Sequence, residues 1–165
     1  MTDKSSSKIH VPPKGTRGSR MMDVMGVFIR PFAGIEVSRN QKATGPEAKT
    51  FMGFPVLVLT TIGAKTGQER NTVLGGFPDG DKAWLIIASK GGSATNPAWL
   101  HNIAVHPDKV WVQIGNRKFR VHSESLTGKA REDAYARVAA AAPQYAGYPK
   151  KTDREIPVLR LTPAD

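Results

Sequence analysis

The apolar positions of the chain form runs and alternations that predict a β-rich fold. Residues 56–61 read Val-Leu-Val-Leu-Thr-Thr, a β-prone run that is apolar enough for a strand buried on both faces. Further β-prone stretches lie at residues 70–77, 82–89, 109–114, 117–125 and 157–161. Because Asp79-Gly80 and most other connections read as hairpin turns, we expect about six mainly antiparallel strands that close into a small barrel.

Helical spacing occurs in three other stretches. Residues 21–42 are dense in apolar positions and carry Pro31, so we expect a kinked helix there, and a loop at residues 43–53. Asn96 as the N-cap and Pro97 at the first helical position predict a short helix to about Val105. Residues 129–142 are rich in alanine and predict a surface helix that packs on the barrel. The fold class expected is therefore α+β, a barrel with flanking helices.

The first twenty residues differ from the rest of the chain. They combine serine, proline and glycine with an excess of cations, which predicts a flexible basic tail at residues 1–20. Residues 21–165 then form a single domain. The apolar stretch at 21–42 could pack on the domain, cover a pocket or lie on a membrane surface, and packing or covering is the preferred interpretation. Whether the segment 1–42 contacts a membrane stays open.

Composition narrows the functional classes. The 165 residues hold 24 Lys and Arg against 14 Asp and Glu, a net charge of +10, and no cysteine. The missing thiols exclude a disulfide scaffold, a zinc finger, an iron–sulfur cluster and a thiol nucleophile, and the four histidines show no metal-ligand spacing. With no long apolar run and no secretory signal, we expect a cytoplasmic protein, with membrane association left open. The positive charge implies an anionic partner: nucleic acid, an anionic membrane or a charged small molecule.

The first candidate site is the turn between residues 60 and 70. Gly63 and Gly67 free backbone amides, while Lys65, Thr66 and Arg70 add further donors, as in an anion cradle. The spacing is not that of a phosphate-binding P-loop. The alternative is a charged hairpin turn with no ligand.

Two more motifs follow. Ser89-Lys90-Gly91-Gly92 ends a strand in a turn that lets a backbone approach a ligand closely, and Trp99 in the next helix either walls a planar ring or fills the core. Tyr145 and Tyr148 lie three residues apart and can face one pocket, where a phenol can donate a proton, or they clasp the sheet.

These motifs occur in a fixed order over roughly residues 54–163. They are Leu59-Thr60-Thr61-x-Gly63-x-Lys65-Thr66-Gly67-x-x-Arg70, Ala88-Ser89-Lys90-Gly91-Gly92, Asn96-Pro97-x-Trp99-x-x-Asn102, and the Tyr145/Tyr148 segment with Thr152-Asp153-Arg154-x-Ile156-Pro157. As an ordered set they resemble the deazaflavin-dependent nitroreductase family of actinobacterial oxidoreductases.

The resemblance implies a split β-barrel, similar to FMN-binding barrels, and coenzyme F420, an 8-hydroxy-5-deazaflavin with a phosphate and an oligoglutamate tail. Candidate cofactor-binding residues on one side are Ala64, Lys65, Thr66, Arg70, Asn71, Thr72, Val73, Leu74 and Gly75. The strand end would contribute Ile87, Ala88, Ser89 and Lys90, and the other side Ala98, Trp99, Leu100, His101 and Asn102. Tyr145 would lie over the deazaflavin, and the candidate catalytic residues are Tyr145, Tyr148 and Ser89.

The implied activity is transfer of a hydride from reduced deazaflavin to an electron-poor small molecule, a quinone, a conjugated enone or a nitro compound. Gly75 stands where some family members place a tyrosine that faces the substrate, which makes quinone and ene reduction at least as plausible as nitro reduction. The rivals are an FMN-binding barrel, a deazaflavin carrier without catalysis, and a nucleic-acid-binding barrel that would use Trp111 and Phe119 on adjacent strands. The leading hypothesis includes no nucleic acid and no metal, and it leaves the oligomeric state open.

Overall fold

The computed structural model describes residues 9–20, 50–51 and 54–164 of the chain. The helix expected at residues 21–42 and the start of the predicted tail lie outside these residues. Residues 50–51 form a strand, which corrects part of the loop expected at 43–53.

Eight strands run through the described residues. They are β1 (Thr50–Phe51), β2 (Phe54–Ile62), β3 (Glu69–Gly75), β4 (Phe77–Asp79), β5 (Ala83–Ile87), β6 (Trp111–Ile114), β7 (Arg117–Ser125) and β8 (Val158–Pro163). Each pairs with its neighbours in antiparallel fashion, in the order β1-β2-β6-β7-β8-β5-β4, and β3 pairs along the length of β2. The curled antiparallel sheet with its helices confirms the α+β split β-barrel.

Side chains alternate between two apolar clusters because successive residues of a strand point to opposite faces. Leu57 and Leu59 of β2 join a barrel cluster that also takes residues from β5, β6, β7 and β8, whereas Val56 joins a second cluster. In β5, Ile86 belongs to the barrel cluster and Ile87 to the second one. Burial of these side chains supplies most of the driving force for folding.

Within residues 54–164, three helices and two short 3₁₀ turns cover the sheet. Helix α1 (Ala98–Val105) inserts Trp99, Leu100 and Ile103 into the barrel cluster. Helix α2 (Gly128–Ala141) buries Ala134 and Val138, one helical turn apart, in the second cluster, named the α2 cluster here. The turns Lys90–Gly92 and Pro143–Gly147 and the short helix α3 (Tyr148–Lys151) complete the set. In the described part of the chain, no helix has the length and apolarity needed to cross a membrane.

Residues 9–20, called the arm below, lie along the domain in the region where a flexible tail was expected. Ile9 is buried in the barrel cluster, and the backbone amides of Gly15 and Ser19 donate to the carbonyls of Ala94 and Gly92, both at 2.9 Å. The Asn96 side chain donates to the Pro12 carbonyl at 2.7 Å. The arm is thus an extended segment that is fixed at several points by partners more than seventy residues away in sequence.

Candidate functional site

The turn between β2 and β3 has a defined shape. The Gly63 amide donates to the Gln68 carbonyl at 2.7 Å, and the Gly67 amide donates to the Gly63 carbonyl at 2.9 Å. Gly67 has a φ of 69°, in the left-handed region that glycine adopts without strain. The Thr66 hydroxyl accepts from the Gln68 amide at 3.2 Å, so it helps to close the turn. The predicted turn is confirmed.

Asn102 joins this turn to helix α1. Its side-chain oxygen accepts from the Ala64 amide at 2.9 Å, and its side-chain nitrogen donates to the Thr61 hydroxyl at 3.1 Å. Asn102 is buried, as is Thr61, so both bonds are shielded from water. Two sequence motifs forty residues apart are therefore fixed against each other by a single amide group.

Two cations extend from this hairpin into solvent. Lys65 and Arg70 are exposed, and neither makes an ion pair with a residue that the structure describes. Arg70 lies opposite Thr61 in the β2–β3 register, which brings it close to the turn. Their positive charge is not neutralised by the described part of the chain and can meet an anion.

The rest of β3 is less exposed toward its end. The Thr60 hydroxyl donates to the Asn71 side-chain oxygen at 2.6 Å across the β2–β3 pair. Beyond it, the partly buried residues are Thr72, Val73, Leu74 and Gly75. Gly75 pairs with Val56 and offers no side chain.

The segment after β5 has an unusual backbone. Lys90, Gly91 and Gly92 have φ values of 44°, 64° and 83°, three consecutive left-handed residues. Such a conformation is uncommon for a lysine, and strained backbones of this kind cluster at functional sites. The Lys90 ammonium donates to the Thr95 hydroxyl at 2.8 Å. Ser89 precedes this turn and is buried.

Arg154 holds the backbone of this segment in place. Its guanidinium donates to the carbonyls of Ser93 (3.0 Å), Ala88 (3.2 Å), Ser89 (3.0 Å) and Glu155 (3.2 Å) and to the Asn96 side-chain oxygen (2.9 Å). Arg154 is 4% exposed, and burial lowers the pKa of its guanidinium. No local sequence signal distinguishes such an arginine from a surface one.

The Asn96 contact also explains where α1 begins. Asn96 was expected to cap the helix, but its side chain is shared between Arg154 and the arm. The helix begins at Ala98 with Pro97 as its N-cap residue, one position later than expected.

The two tyrosines are brought together. The rings of Tyr145 and Tyr148 lie 5.1 Å apart edge to face, and Tyr145 also meets the ring of Phe77 at 5.5 Å. The Tyr135 hydroxyl donates to the Tyr145 carbonyl at 2.6 Å, which fixes the segment to α2. Burial, and then neighbouring phenols, raise the pKa of Tyr145, and burial raises that of Tyr148, so both stay protonated at neutral pH. Tyr145 is buried in the α2 cluster, whereas Tyr148 is only partly buried at its edge.

Several of the candidate residues contact one another or share an apolar cluster. A Cβ at Gly92 would lie 3.1 Å from the Tyr148 carbonyl, so the Lys90–Gly92 turn contacts α3. Ile87, at the end of β5, lies in the α2 cluster together with Tyr145. Leu100 and Ala88 are fully buried in the barrel cluster, and Trp99 is buried beside them. Their side chains therefore pack in the core and are poorly placed to contact a ligand. Ala98 and His101 are exposed on α1. The described residues contain no group of side chains suited to a metal ion.

The aromatic pair behind the nucleic-acid alternative is not a stacking platform. In the β6–β7 register Trp111 lies opposite Arg120 and Phe119 lies opposite Val112, so the two rings are on opposite faces of the sheet. Phe119 packs on Trp84, with ring centroids 5.5 Å apart. Bases could not stack on both rings at once.

Comparisons with known proteins point to one group of enzymes. The sequence model of a family described as F420H(2)-dependent quinone reductase matches residues 33–163. An F420H(2)-dependent quinone reductase of Mycobacterium tuberculosis is 41% identical over 113 residues, covering 66% of this chain and 73% of that protein.

Solved structures agree with this match. An F420-H2 dependent reductase has 35% identity and a TM-score of 0.58, covering 65% of this chain and 93% of that one. A structure described as a domain-swapped dimer has 28% identity and a TM-score of 0.60, covering 83% of this chain and 98% of that one.

Proposed function

Because the chain belongs to the family of F420H(2)-dependent quinone reductases, we propose that it binds coenzyme F420 and transfers a hydride from the reduced cofactor to a quinone. The observation that carries the proposal is the turn held by Asn102, with the cations Lys65 and Arg70 beside it.

The chemistry of this cradle fits the cofactor. A phosphate and several carboxylates require cationic partners, and Lys65 and Arg70 are exposed without an ion pair among the described residues. Ala64, Thr66 and the β3 residues from Asn71 to Gly75 would complete one wall. On the other side, Ile87, Ser89 and Lys90 would line the strand end, with Trp99 and Asn102 supporting the cradle from α1.

Hydride chemistry is supplied by the deazaflavin when it is bound, and the protein supplies orientation and a site shielded from water. Arg154 supports the end of β5, because its five hydrogen bonds fix the backbone carbonyls around Ser89. A backbone held in this way needs no reorganisation when a ligand binds.

Reduction of a quinone also needs a proton. Tyr145 and Tyr148 keep their phenolic protons at neutral pH because burial raises their pKa values, so each would act as a hydrogen-bond donor and not as a base. Tyr148 is the more accessible of the two, so we assign it the donor role toward the acceptor, and Tyr145 a packing role beside it. The Ser89 hydroxyl would orient the bound ring.

The acceptor can be tested directly. Reduced coenzyme F420 is mixed with the protein and a naphthoquinone, a cyclic enone or a nitroimidazole, and re-oxidation of the deazaflavin is followed by absorbance. We expect turnover with the quinone, and a kcat for Tyr148→Phe that is about 100-fold or more lower, the lower end of what a general acid contributes. Binding without turnover of any acceptor would indicate a carrier. A yellow protein with a flavin spectrum would indicate FMN.

A further inference from the structure

The arm builds a basic pocket that the proposed function does not use. A cavity of about 350 Å³ lies between the arm and the loop after the Lys90–Gly92 turn. Lys14, Arg17 and Arg20 line it on the arm side, and Thr95 lines it on the loop side.

The pocket is fixed by hydrogen bonds on both sides. The Asp153 carboxylate accepts from the backbone amides of Thr16 and Arg17, each at 2.9 Å, and from the Thr16 hydroxyl. The Thr152 hydroxyl donates to the Arg17 carbonyl at 2.7 Å. A site fastened in this way does not have to order itself when a ligand binds, which lowers the entropic cost of binding.

Glycines make the close approach possible. A Cβ at Gly15 would lie 2.5 Å from an Asp153 carboxylate oxygen, and one at Gly18 would overlap the backbone of Ala94. Larger residues at either position would lift the arm from the loop and open the cavity. The arm sequence is therefore suited to this contact and not only to a solvated tail.

The described residues that line the pocket carry only positive charge. Among them there are three cations and no carboxylate. Asp153 lies nearby and is ionised at neutral pH because its hydrogen bonds to the arm lower its pKa, so it contributes one negative charge against the three lining cations. Holding several cations around one concavity is unfavourable unless an anion is present.

We propose that this arm pocket binds an anionic group of a small molecule, a phosphate or a carboxylate. The concave shape and the cavity volume suit a phosphate or a short oligocarboxylate. The proposal does not require the proposed function, because free phosphate and the anionic part of the cofactor share this chemistry.

The test uses the full chain and two soluble probes, inorganic phosphate and γ-linked triglutamate, titrated by calorimetry at low salt. The variant Lys14→Gln/Arg20→Gln removes two pocket cations and leaves Arg17, whose guanidinium supports the Lys150 carbonyl. The control Arg117→Gln/Lys118→Gln removes the same charge from exposed positions on β7. Thermal unfolding verifies that both variants fold.

We expect saturable binding of at least one probe by the wild type and the control, and about tenfold or more weaker binding by the pocket variant. Absence of saturable binding, or equal weakening in the control, would overturn the proposal. Binding to phosphatidylglycerol vesicles with no binding of either soluble probe would overturn it in favour of a membrane surface.

A second comparison identifies the source of the anion. Coenzyme F420 and its deazaflavin chromophore without phosphate and glutamates are titrated against the wild type and the pocket variant. A loss of affinity confined to the intact cofactor would support the proposal and assign the anion to the cofactor. Unchanged cofactor affinity together with weakened phosphate binding would support it with a separate anion. A protein that binds phosphate but no form of the cofactor would refute the proposed function and leave the pocket intact.

Discussion

Replacing Arg154 by methionine should destabilise the protein more than any single change at its surface. Methionine keeps the length of the apolar stem but removes the guanidinium that five oxygen atoms share. Those oxygens are carbonyls of the chain and one amide, and several of them are buried with the arginine.

The magnitude follows from the hydrogen bonds. A bond to a charged group contributes about 1.5–3 kcal/mol, and leaving a buried acceptor unsatisfied costs about 1–3 kcal/mol. The five bonds of one guanidinium are not independent, and its burial already lowers its pKa, so part of the gain offsets desolvation. We therefore expect a loss of about 3–5 kcal/mol, the range found when one partner of a buried charged pair is removed.

Urea unfolding followed by tryptophan fluorescence measures this loss. With a slope of about 2 kcal/mol per molar urea, the midpoint should fall by about 1.5–2.5 M with little change in slope. In Arg154→Lys the charge is kept, but the lysine side chain cannot bind all five acceptors. Its urea midpoint should therefore lie between those of the wild type and the methionine variant.

Arg137→Met is the matched control. Arg137 pairs with Asp79 at 3.1 Å, but its side chain is 60% exposed, so its loss should change stability by about 0.5 kcal/mol or less. If Arg154→Met unfolds at the same urea concentration as Arg137→Met, the assignment of Arg154 as a structural hub is incorrect.

Three further changes test other parts of the structure. Asp153→Ala should release the arm, which is measured at pH 7 as faster trypsin cleavage within it. Because hydrogen bonds lower the pKa of Asp153, the protection of the Thr16 and Arg17 amides against hydrogen exchange in the wild type should be complete above about pH 4 and be lost as the pH falls below that. Asp79→Asn removes the partner of two arginines at a side chain that is only 10% exposed, so thermal unfolding should show a stability about 1–3 kcal/mol lower. Asp133→Asn, in an exposed helical ion pair, is the control and should leave the stability almost unchanged. Equal losses of stability in the two variants would contradict this. Tyr135→Phe loses the hydrogen bond to the Tyr145 carbonyl, so this variant should be about 1 kcal/mol less stable than the wild type at pH 7. Because burial raises the pKa of Tyr135 to about 12, the wild type should lose this advantage between about pH 10 and pH 12. A constant difference in stability across that pH range would refute the assignment.

The strands and turns were readable from the sequence because their signals are local. The apolar run of β2, the Asp79-Gly80 turn and the alanine-rich helix each depend on residues within about ten positions. The predicted and observed bounds of the strands and helices mostly differ by one to three residues at their ends. Strand β4 was merged with β3 in the prediction because Gly76, where the pairing partner changes, carries no strong stop signal.

The arm and Arg154 could not be read in this way. The acceptors of the Arg154 guanidinium lie 58 to 66 residues away, except for the adjacent Glu155, and the Asp153 carboxylate that binds the Arg17 amide lies 136 residues from it. A single sequence shows only that charged residues follow one another near Arg154. Whether such a group is buried depends on which loops pack above it.

The candidate site could be predicted from the sequence only in part. The glycines and cations of the β2–β3 turn indicated an anion cradle, and the contact of Asn102 with Ala64 agrees with the two motifs acting together. The assignment to a deazaflavin depended on the order of the motifs as a resemblance to a family, because spacing and charge alone also fit a simple hairpin. The buried state of Trp99 and Leu100 required the packed structure.

The most direct test of the central claim is a fluorescence titration of coenzyme F420 against the wild type and the variant Lys65→Gln/Arg70→Gln, with Arg117→Gln/Lys118→Gln as the control. We predict micromolar or tighter binding by the wild type and the control, and a loss of about 100-fold in the cradle variant, since two charge-assisted contacts are removed. Absence of binding by the wild type at micromolar concentration, or an unchanged affinity of the cradle variant, would contradict the account.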